Sequence, residues 1–166
     1  MDFVSQVVSD AGDTVKGTYD ASEYTGISFW AKATDTLKLV QVKFIDAYTD
    51  AQGDPGAFDS SAFPCALVPN FPNNCSPYIV KFSQGDADTN YPNYDNTAIG
   101  TDWKMFSVLF ADAKQDMFNP GQMSPNNTVD VKHLLGLAIQ VNADFSTAPP
   151  TANDFEIWLD DVRFIR

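Results

Sequence analysis

The sequence predicts an all-β protein built as a sandwich of two antiparallel sheets. Three observations lead to this class. Apolar and polar residues alternate with a period of two in five segments, which is the pattern of strands that bury one face. Gly, Pro, Asn and Asp are concentrated between those segments, and helical periodicity is nearly absent. The 166 residues are most simply one domain, residues 1–166, large enough to bury roughly two-thirds of the unfolded surface.

The predicted elements follow one another along the chain. The five strands are GISFWAKA (26–33), LKLVQVKFID (37–46), WKMFSVLFAD (103–112), LLGLAIQVNAD (134–144) and the closing segment FEIWLDDVRFIR (155–166). A short helical turn is predicted at Val129–Gly136, ahead of the fourth strand. Two long stretches, 47–77 and 85–100, are predicted to be irregular, and stretches of that length often carry function.

The charge of the chain argues against two classes of partner. Ten Lys and Arg residues against 22 Asp and Glu residues give a formal net charge of −12 at pH 7. Such a surface repels phosphate backbones and anionic lipid headgroups. No apolar run approaches the ~18 to 20 residues of a membrane-spanning helix. We therefore expect no nucleic acid partner and no membrane insertion, and neutral sugars, cations and other proteins stay open as partners.

The sequence carries no signature of catalysis. It lacks the GxSxG, HExxH, Walker and dinucleotide-binding motifs. Its single histidine, His133, stands beside an apolar pair and is interpreted as a structural residue. A glycoside hydrolase with two carboxylates needs no motif, but nothing in the pattern selects such a pair. We therefore expect a protein that is not an enzyme.

Two cysteines, Cys65 and Cys75, lie in the Pro- and Asn-rich segment PCALVPNFPNNCSP. A zinc site would need closer spacing and a second pair of ligands. Two interpretations remain, a pair of buried thiols and a disulfide, and the disulfide is favoured because such a loop has little core to order it. A bridge here would contribute roughly 2–3 kcal/mol. It would also indicate an oxidising compartment, so we expect a secreted, extracellular protein.

The order of these motifs resembles a known family. YDASEYTGISFWAKA (19–33), LKLVQVKFID, the paired-cysteine loop, TDWKMFSVLFAD (101–112), LLGLAIQVNAD and FEIWLDDVRF (155–164) recur in that order. Together they resemble the galactose-binding-like jelly-roll modules attached to bacterial extracellular polysaccharide-degrading enzymes. The resemblance runs from about Tyr19 to Phe164 and implies a jelly roll. Such modules have further strands before the first motif, so the short N-terminal piece is expected to supply one strand at most, or a partner completes the sandwich.

The resemblance also implies a calcium ion. In such modules the aspartates of the closing DD pair help to hold a structural calcium between the last strand and the N-terminal segment. Here that role falls to Asp160 and Asp161, with Asp10 and Asp13 completing the shell of carboxylate and carbonyl oxygens that calcium prefers. The pair stands in a strand expected to be buried, where an uncompensated carboxylate is costly. The alternative is that one aspartate pairs with a basic residue such as Arg163 and the other is solvated.

A sugar-binding surface needs exposed aromatic rings that stack on pyranose rings, beside amide and charged groups that bond to hydroxyls. The polar faces of the predicted strands offer such groups, and they fall on one sheet face if the strand registers agree. The residues selected on this basis are Trp30, Lys43, Gln140, Asn142 and Trp158, with Tyr91 and Tyr94 from a loop. The alternative is that Trp30 and Trp158 belong to the core. Trp103, at the head of its strand, is interpreted as a packing residue.

These observations lead to one expected function and one alternative. We expect a non-catalytic, polysaccharide-binding module of a secreted protein, joined to a catalytic domain in a longer parent chain. The alternative is a self-associating structural subunit of an extracellular fibre, surface layer or adhesin, since an incomplete sheet leaves an open edge that invites strand addition. A sugar-binding module predicts stabilisation by glycan, whereas a structural subunit predicts self-association without any effect of glycan.

Overall fold

A computed structural model of the chain describes residues 6–8, 14–16, 18–34, 39–49, 77–83, 93–95, 98–115, 128–141 and 156–166. The strands are β1 (Gln6–Val8), β2 (Thr14–Lys16), β3 (Gly26–Ala33), β4 (Leu39–Asp46), β5 (Tyr78–Ser83), β6 (Asn93–Asp95), β7 (Lys104–Leu109), β8 (Lys114–Gln115), β9 (Leu134–Val141) and β10 (Ile157–Ile165). Two short 3-10 helices, Phe110–Asp112 and Val131–His133, complete the described elements. The second lies within the predicted helical turn and leads directly into β9, so that prediction is confirmed.

Two sheets form the body of the fold. The smaller sheet has the strand order β10-β3-β7, and both of its outer strands run antiparallel to β3. The larger sheet has the order β6-β5-β4-β9, with β8 pairing with β5. All described neighbours in the larger sheet are antiparallel except β5 and β6, which are parallel. The sequence pattern had missed β5, β6 and β8, because β6 and β8 are very short and β5 is buried along its whole described length and does not alternate.

The core lies between the two sheets and is built largely from aromatic side chains. Phe82 of the larger sheet contacts Phe29 and Phe106 of the smaller one edge-on, with ring centroids 6.4 and 5.2 Å apart. Phe44 meets Phe110, which follows β7, at 5.1 Å. Buried aromatic pairs of this kind stabilise a core by about 0.5–1.5 kcal/mol each beyond the burial of their area. The predicted all-β sandwich is therefore confirmed, and the jelly-roll order of its connections stays a prediction.

The N-terminal piece differs from expectation. It supplies two strands, not one at most, because β1 and β2 pair with each other in antiparallel register from Gln6 opposite Lys16 to Val8 opposite Thr14. The pattern did not reveal them because strands of three residues are too short to show alternation. Among the residues that the structure describes, neither strand joins the two large sheets.

The double aspartate marks a β-bulge. The register of β10 on β3 shifts between Asp160, opposite Trp30, and Arg163, opposite Ser28, so two residues of β10 face one residue of β3. Asp161 takes a left-handed conformation with φ of 49°, which aspartate tolerates better than most side chains. The extra residue moves the alternation by one position, and Phe164 therefore returns to the core side, where it stacks on Tyr19.

The expectation that the aspartates are buried is wrong. Both Asp160 and Asp161 are exposed, because β10 is an outer strand and most of its residues are accessible to solvent. Asp161 Oδ2 lies 3.4 Å from Arg163 Nη1, and Asp160 Oδ1 accepts a hydrogen bond from the backbone N–H of Asp161 at 2.8 Å. Burial therefore creates no need for a cation at this pair, and the contact with Arg163 matches the alternative given above.

The bulge gives a test that separates the two aspartates. Asp161→Val should lower the free energy of unfolding by about 1–2 kcal/mol, since a β-branched residue is strained in the left-handed region. Asp160→Val removes a neighbouring exposed carboxylate without that strain and should have a much smaller effect. Urea unfolding of both variants measures the difference. Equal effects would mean that Asp161 is not held in this conformation in solution.

Gly26, at the start of β3, allows a close approach of two strands. A Cβ atom built on Gly26 would lie 2.1 Å from the carbonyl oxygen of Val108 and 2.8 Å from Leu109 Cα, and both atoms belong to the backbone of β7. These atoms cannot move aside without displacing the strand. The absence of a side chain at Gly26 is therefore what lets β3 and β7 pair up to this residue.

Gly26→Ala should therefore lower the free energy of unfolding by about 1–3 kcal/mol, through overpacking against backbone. Gly100→Ala is the matched control, because nothing lies within 4 Å of the Cβ position of Gly100. Thermal and urea unfolding of the two variants provide the measurement. An unchanged midpoint for Gly26→Ala would contradict the close pairing of the strands at this end.

A buried carboxylate ties the end of β4 to the segment before β9. Asp46 is fully buried. Its Oδ1 accepts hydrogen bonds from the backbone N–H groups of Tyr48 and Thr49, both at 3.0 Å, and its Oδ2 accepts one from the N–H of Asp130 at 2.8 Å. One side chain thus closes the turn after β4 and anchors the entry to the 3-10 helix at Val131–His133.

Candidate functional site

The outward side of the smaller sheet carries a group of exposed apolar side chains. Because side chains alternate along a strand, the residues of β3 between the buried Phe29, Ala31 and Ala33 point away from the core. We call the surface formed by Trp30, Lys32, Trp103, Met105 and Trp158 the tryptophan face. It contains all three tryptophans of the chain. Their exposed fractions are 38% for Trp30, 44% for Trp103 and 40% for Trp158, too large for core residues.

The strand registers bring these residues together. Trp158 of β10 lies directly opposite Lys32 of β3, and Trp30, two residues earlier on β3, lies between Met105 of β7 and Asp160 of β10. Trp103 immediately precedes β7 and reaches Lys32 from the other side. The face therefore joins residues that are far apart in the sequence, over the whole width of the sheet.

Lys32 lies between two of the indole rings. Its Nζ is 5.2 Å from the ring centroid of Trp103 and 5.0 Å from that of Trp158, which are cation–π distances. The three side chains form a row that crosses the strands from β7 to β10. No carboxylate of the described residues lies within ion-pair distance of Lys32. Its ammonium thus has N–H donors beside two exposed aromatic surfaces.

Trp103 is a correction to the sequence analysis, which took it for a packing residue. A signal for its position was present in the segment WKMFSVLF. Phe106 and Val108 alternate with Met105 and Ser107, and this parity places Trp103 on the side opposite the core. Its position at the head of the strand concealed this, because alternation is weakest at the ends of a segment.

The prediction of one continuous polar face is wrong. Trp30 and Trp158 lie on the smaller sheet, whereas Lys43 and Gln140 lie on the outward side of the larger sheet, where Lys43 is opposite Ala138 and Gln140 is opposite Gln41. The sequence could not reveal this division, because alternation assigns a residue to a side of its own strand and does not say which strands share a sheet.

Several predicted residues lie outside the described residues. These are Asn142, Tyr91, Asp10, Asp13, Cys65 and Cys75. Tyr94 belongs to β6, but its side chain is not described. The predicted disulfide and the loop contribution to sugar binding therefore stay predictions.

The described residues do not by themselves provide a calcium shell. Asp160 and Asp161 engage a backbone N–H and a guanidinium as given above, and the described segments contain no group of three or more His, Cys, Asp or Glu residues that could hold a metal ion. A shell of six to eight oxygens would therefore need the N-terminal aspartates. The calcium ion stays a prediction that rests on the resemblance.

His133 has a local partner. Its Nδ1 lies 2.8 Å from Asp130 Oδ2, and the other oxygen of Asp130 accepts a hydrogen bond from the backbone N–H of Lys132 at 3.1 Å. Asp130 thereby caps the 3-10 helix that carries the histidine. An Asp–His pair three residues apart on one turn is well explained by this capping.

Comparisons with known proteins leave the chain without relatives. No family model, no curated protein and no solved structure matches it. No helix in the described segments is long and apolar enough to cross a membrane.

Proposed function

We propose that this protein is a non-catalytic carbohydrate-binding module of a secreted protein and that it binds polysaccharide on the tryptophan face. The observation that carries the proposal is the exposure of every tryptophan of the chain on one side of one sheet. Removing a large apolar side chain from water is worth about 1.5–3 kcal/mol. Three such side chains held on one surface are therefore more consistent with a ligand than with chance.

The chemistry of the face suits a sugar. An indole stacks on the apolar C–H side of a pyranose ring, while neighbouring N–H donors and carboxylate acceptors bond to its hydroxyls. Lys32 and Asp160 supply such groups beside Trp158 and Trp30. The net charge of −12 disfavours polyanions, so an uncharged polysaccharide is the partner that fits both the face and the whole chain.

A glycan screen read by tryptophan fluorescence tests this proposal. Because all three tryptophans lie on the face, a ligand that stacks there should shift their emission and protect them from quenching by acrylamide. It should also raise the melting temperature, since ligand at a hundred times its Kd adds about 2.7 kcal/mol of stability. If xylan, β-glucan, mannan and galactan all left the emission, the quenching and the melting temperature unchanged, the proposal would lose its support.

The same melt tests the predicted calcium ion. A calcium ion held by the closing aspartates and the N-terminal segment would make the melting temperature fall when EDTA is added, and Asp160→Ala would remove this dependence. A melt that is indifferent to EDTA would withdraw the ion from the proposal without affecting the sugar site.

The second candidate function is a self-assembling extracellular subunit. It is favoured by two exposed apolar residues on the outer strands of the smaller sheet, Met105 at 48% on β7 and Leu159 at 42% on β10. Outer strands of this kind can pair with a second copy. Sedimentation velocity across a concentration series distinguishes the candidates, because this one requires an assembly that grows with concentration and ignores glycan.

A further inference from the structure

We infer that the tryptophan face accepts an internal stretch of an extended, uncharged polysaccharide lying across the strands, and that Lys32 positions the two indoles between which it lies. This inference rests on the proposed function and specifies its ligand. It depends on the row Trp103–Lys32–Trp158, whose geometry differs from that of a pocket for a single sugar.

The first step concerns the length of the row. Trp103 and Trp158 sit on the two outer strands of the smaller sheet, on either side of β3. Neighbouring strands are about 4.8 Å apart, so the two backbones are separated by about 10 Å. One pyranose ring cannot stack on both indoles across that distance. A ligand that uses both must be a chain of several units that passes over Lys32.

The second step concerns the space between the two rings. The ammonium of Lys32, at 5.2 and 5.0 Å from the ring centroids, occupies the gap in which a single sugar would otherwise insert edgewise. Lys32 thus keeps the indoles apart as two separate stacking surfaces. Its remaining N–H donors are available to the hydroxyls of the unit that bridges them.

The third step concerns charge. On β10 the outward neighbours of Trp158 along the strand are Glu156 and Asp160, and both are exposed. A chain that carries a carboxylate on every unit would approach these two groups as well as Lys32, on a protein of net charge −12. The local attraction to one ammonium is then offset by repulsion, and screening by salt weakens both effects. An uncharged chain avoids the repulsion and can still accept hydrogen bonds from Lys32.

The experiment is a chain-length series. The probes are cello-, xylo- and manno-oligosaccharides of one to six units, with oligogalacturonates as the anionic counterpart, titrated by tryptophan fluorescence at low and high salt. For the active neutral series we expect no measurable binding of the monosaccharide, a rise in affinity of about tenfold or more once the chain spans both indoles, and less than about a twofold change with salt.

Lys32→Met keeps the length and apolar stem of the side chain but removes the ammonium. We expect it to weaken binding of the longest oligosaccharide about threefold to tenfold, with little effect on the melting temperature. Lys114→Met, at an exposed lysine on β8 away from the face, is the matched control and should bind like the wild type.

The outcomes separate the inference from the function on which it rests. Binding that depends on the tryptophans but is equally tight for monosaccharide and hexasaccharide would overturn the extended site and leave the sugar-binding function intact. Preference for oligogalacturonate, with affinity lost at high salt, would overturn the uncharged ligand. Unchanged binding by Lys32→Met would overturn the role of Lys32. Absence of binding to any glycan would overturn the proposed function itself.

Discussion

Trp158→Ala should weaken glycan binding by at least about tenfold while the protein stays folded, and Trp103→Ala should have an effect of the same order. Tryptophans at the centre of a binding surface are frequent sites of large losses on truncation to alanine. Stacking of a planar ring on an aromatic side chain is worth about 1–3 kcal/mol in nucleic acid complexes, which sets the scale. The double variant should lose measurable binding, because the chain then keeps only Trp30 on this face.

The measurement is titration of the best glycan from the screen, with the melting temperature of each variant as the check on folding. Leu159→Ala is the matched control. Leu159 is the next residue on β10, has a similar exposed fraction of 42%, and is paired with the buried Ala31, on the side away from the tryptophans. If Leu159→Ala reduced binding as much as Trp158→Ala, the ligand would not be on the tryptophan face. Unfolding of Trp158→Ala would show that this residue supports the core.

Asp46→Ala should lower the free energy of unfolding by about 3–5 kcal/mol at pH 7. The substitution leaves three backbone N–H groups, those of Tyr48, Thr49 and Asp130, without the carboxylate that accepts from them in the folded protein. Asp20→Ala is the matched control, because the exposed Asp20 also accepts a local hydrogen bond, from the N–H of Ser22 at 2.9 Å. That variant should leave the urea midpoint nearly unchanged. Equal effects of the two variants would contradict the structural role of Asp46.

The same residue should make stability depend on pH. Burial raises the pKa of Asp46 from 3.8 to about 6, against the opposing effect of the hydrogen bonds from Asp130, Thr49 and Tyr48. The folded protein therefore takes up a proton at higher pH than the unfolded chain does. Folding is favoured as pH falls through about 6 toward 4, by roughly 3 kcal/mol at most from this group.

Asp46→Asn provides the comparison for this effect, since it cannot titrate. The difference in free energy of unfolding between wild type and Asp46→Asn should grow in favour of wild type from pH 7 to pH 4. Its sign at pH 7 also favours wild type, because the amide NH2 would face the N–H of Asp130 or those of Tyr48 and Thr49. A difference that does not vary with pH would show that Asp46 titrates normally in the folded protein.

The sequence predicted the fold class well because the class depends on local alternation. Val40, Val42 and Phe44 are buried as their spacing indicated, and so are Phe106 and Val108. Prediction failed where alternation is absent or slips. β5 is buried on both sides, and in β10 the bulge shifts the pattern by one residue, so that two adjacent aspartates seemed to interrupt a buried strand.

The candidate site was predicted only in part. Trp30 and Trp158 were selected from the sequence, but the residues expected beside them, Lys43 and Gln140, lie on the other sheet. Trp103, which was set aside as a packing residue, completes the row through Lys32. Strand parity contains the information that a side chain points outward. It contains none about which outward side chains become neighbours.

By itself, the sequence determined the all-β class, the acidic surface and the absence of recognisable catalytic motifs, since these follow from composition and from the period of two along each strand. Only the tertiary structure decided that all three tryptophans share one exposed face and that Asp46 is buried beneath Asp130, 84 residues away in the chain. The physical reason is that pairing register and sheet order depend on contacts between distant segments, and those contacts form only when the whole core packs.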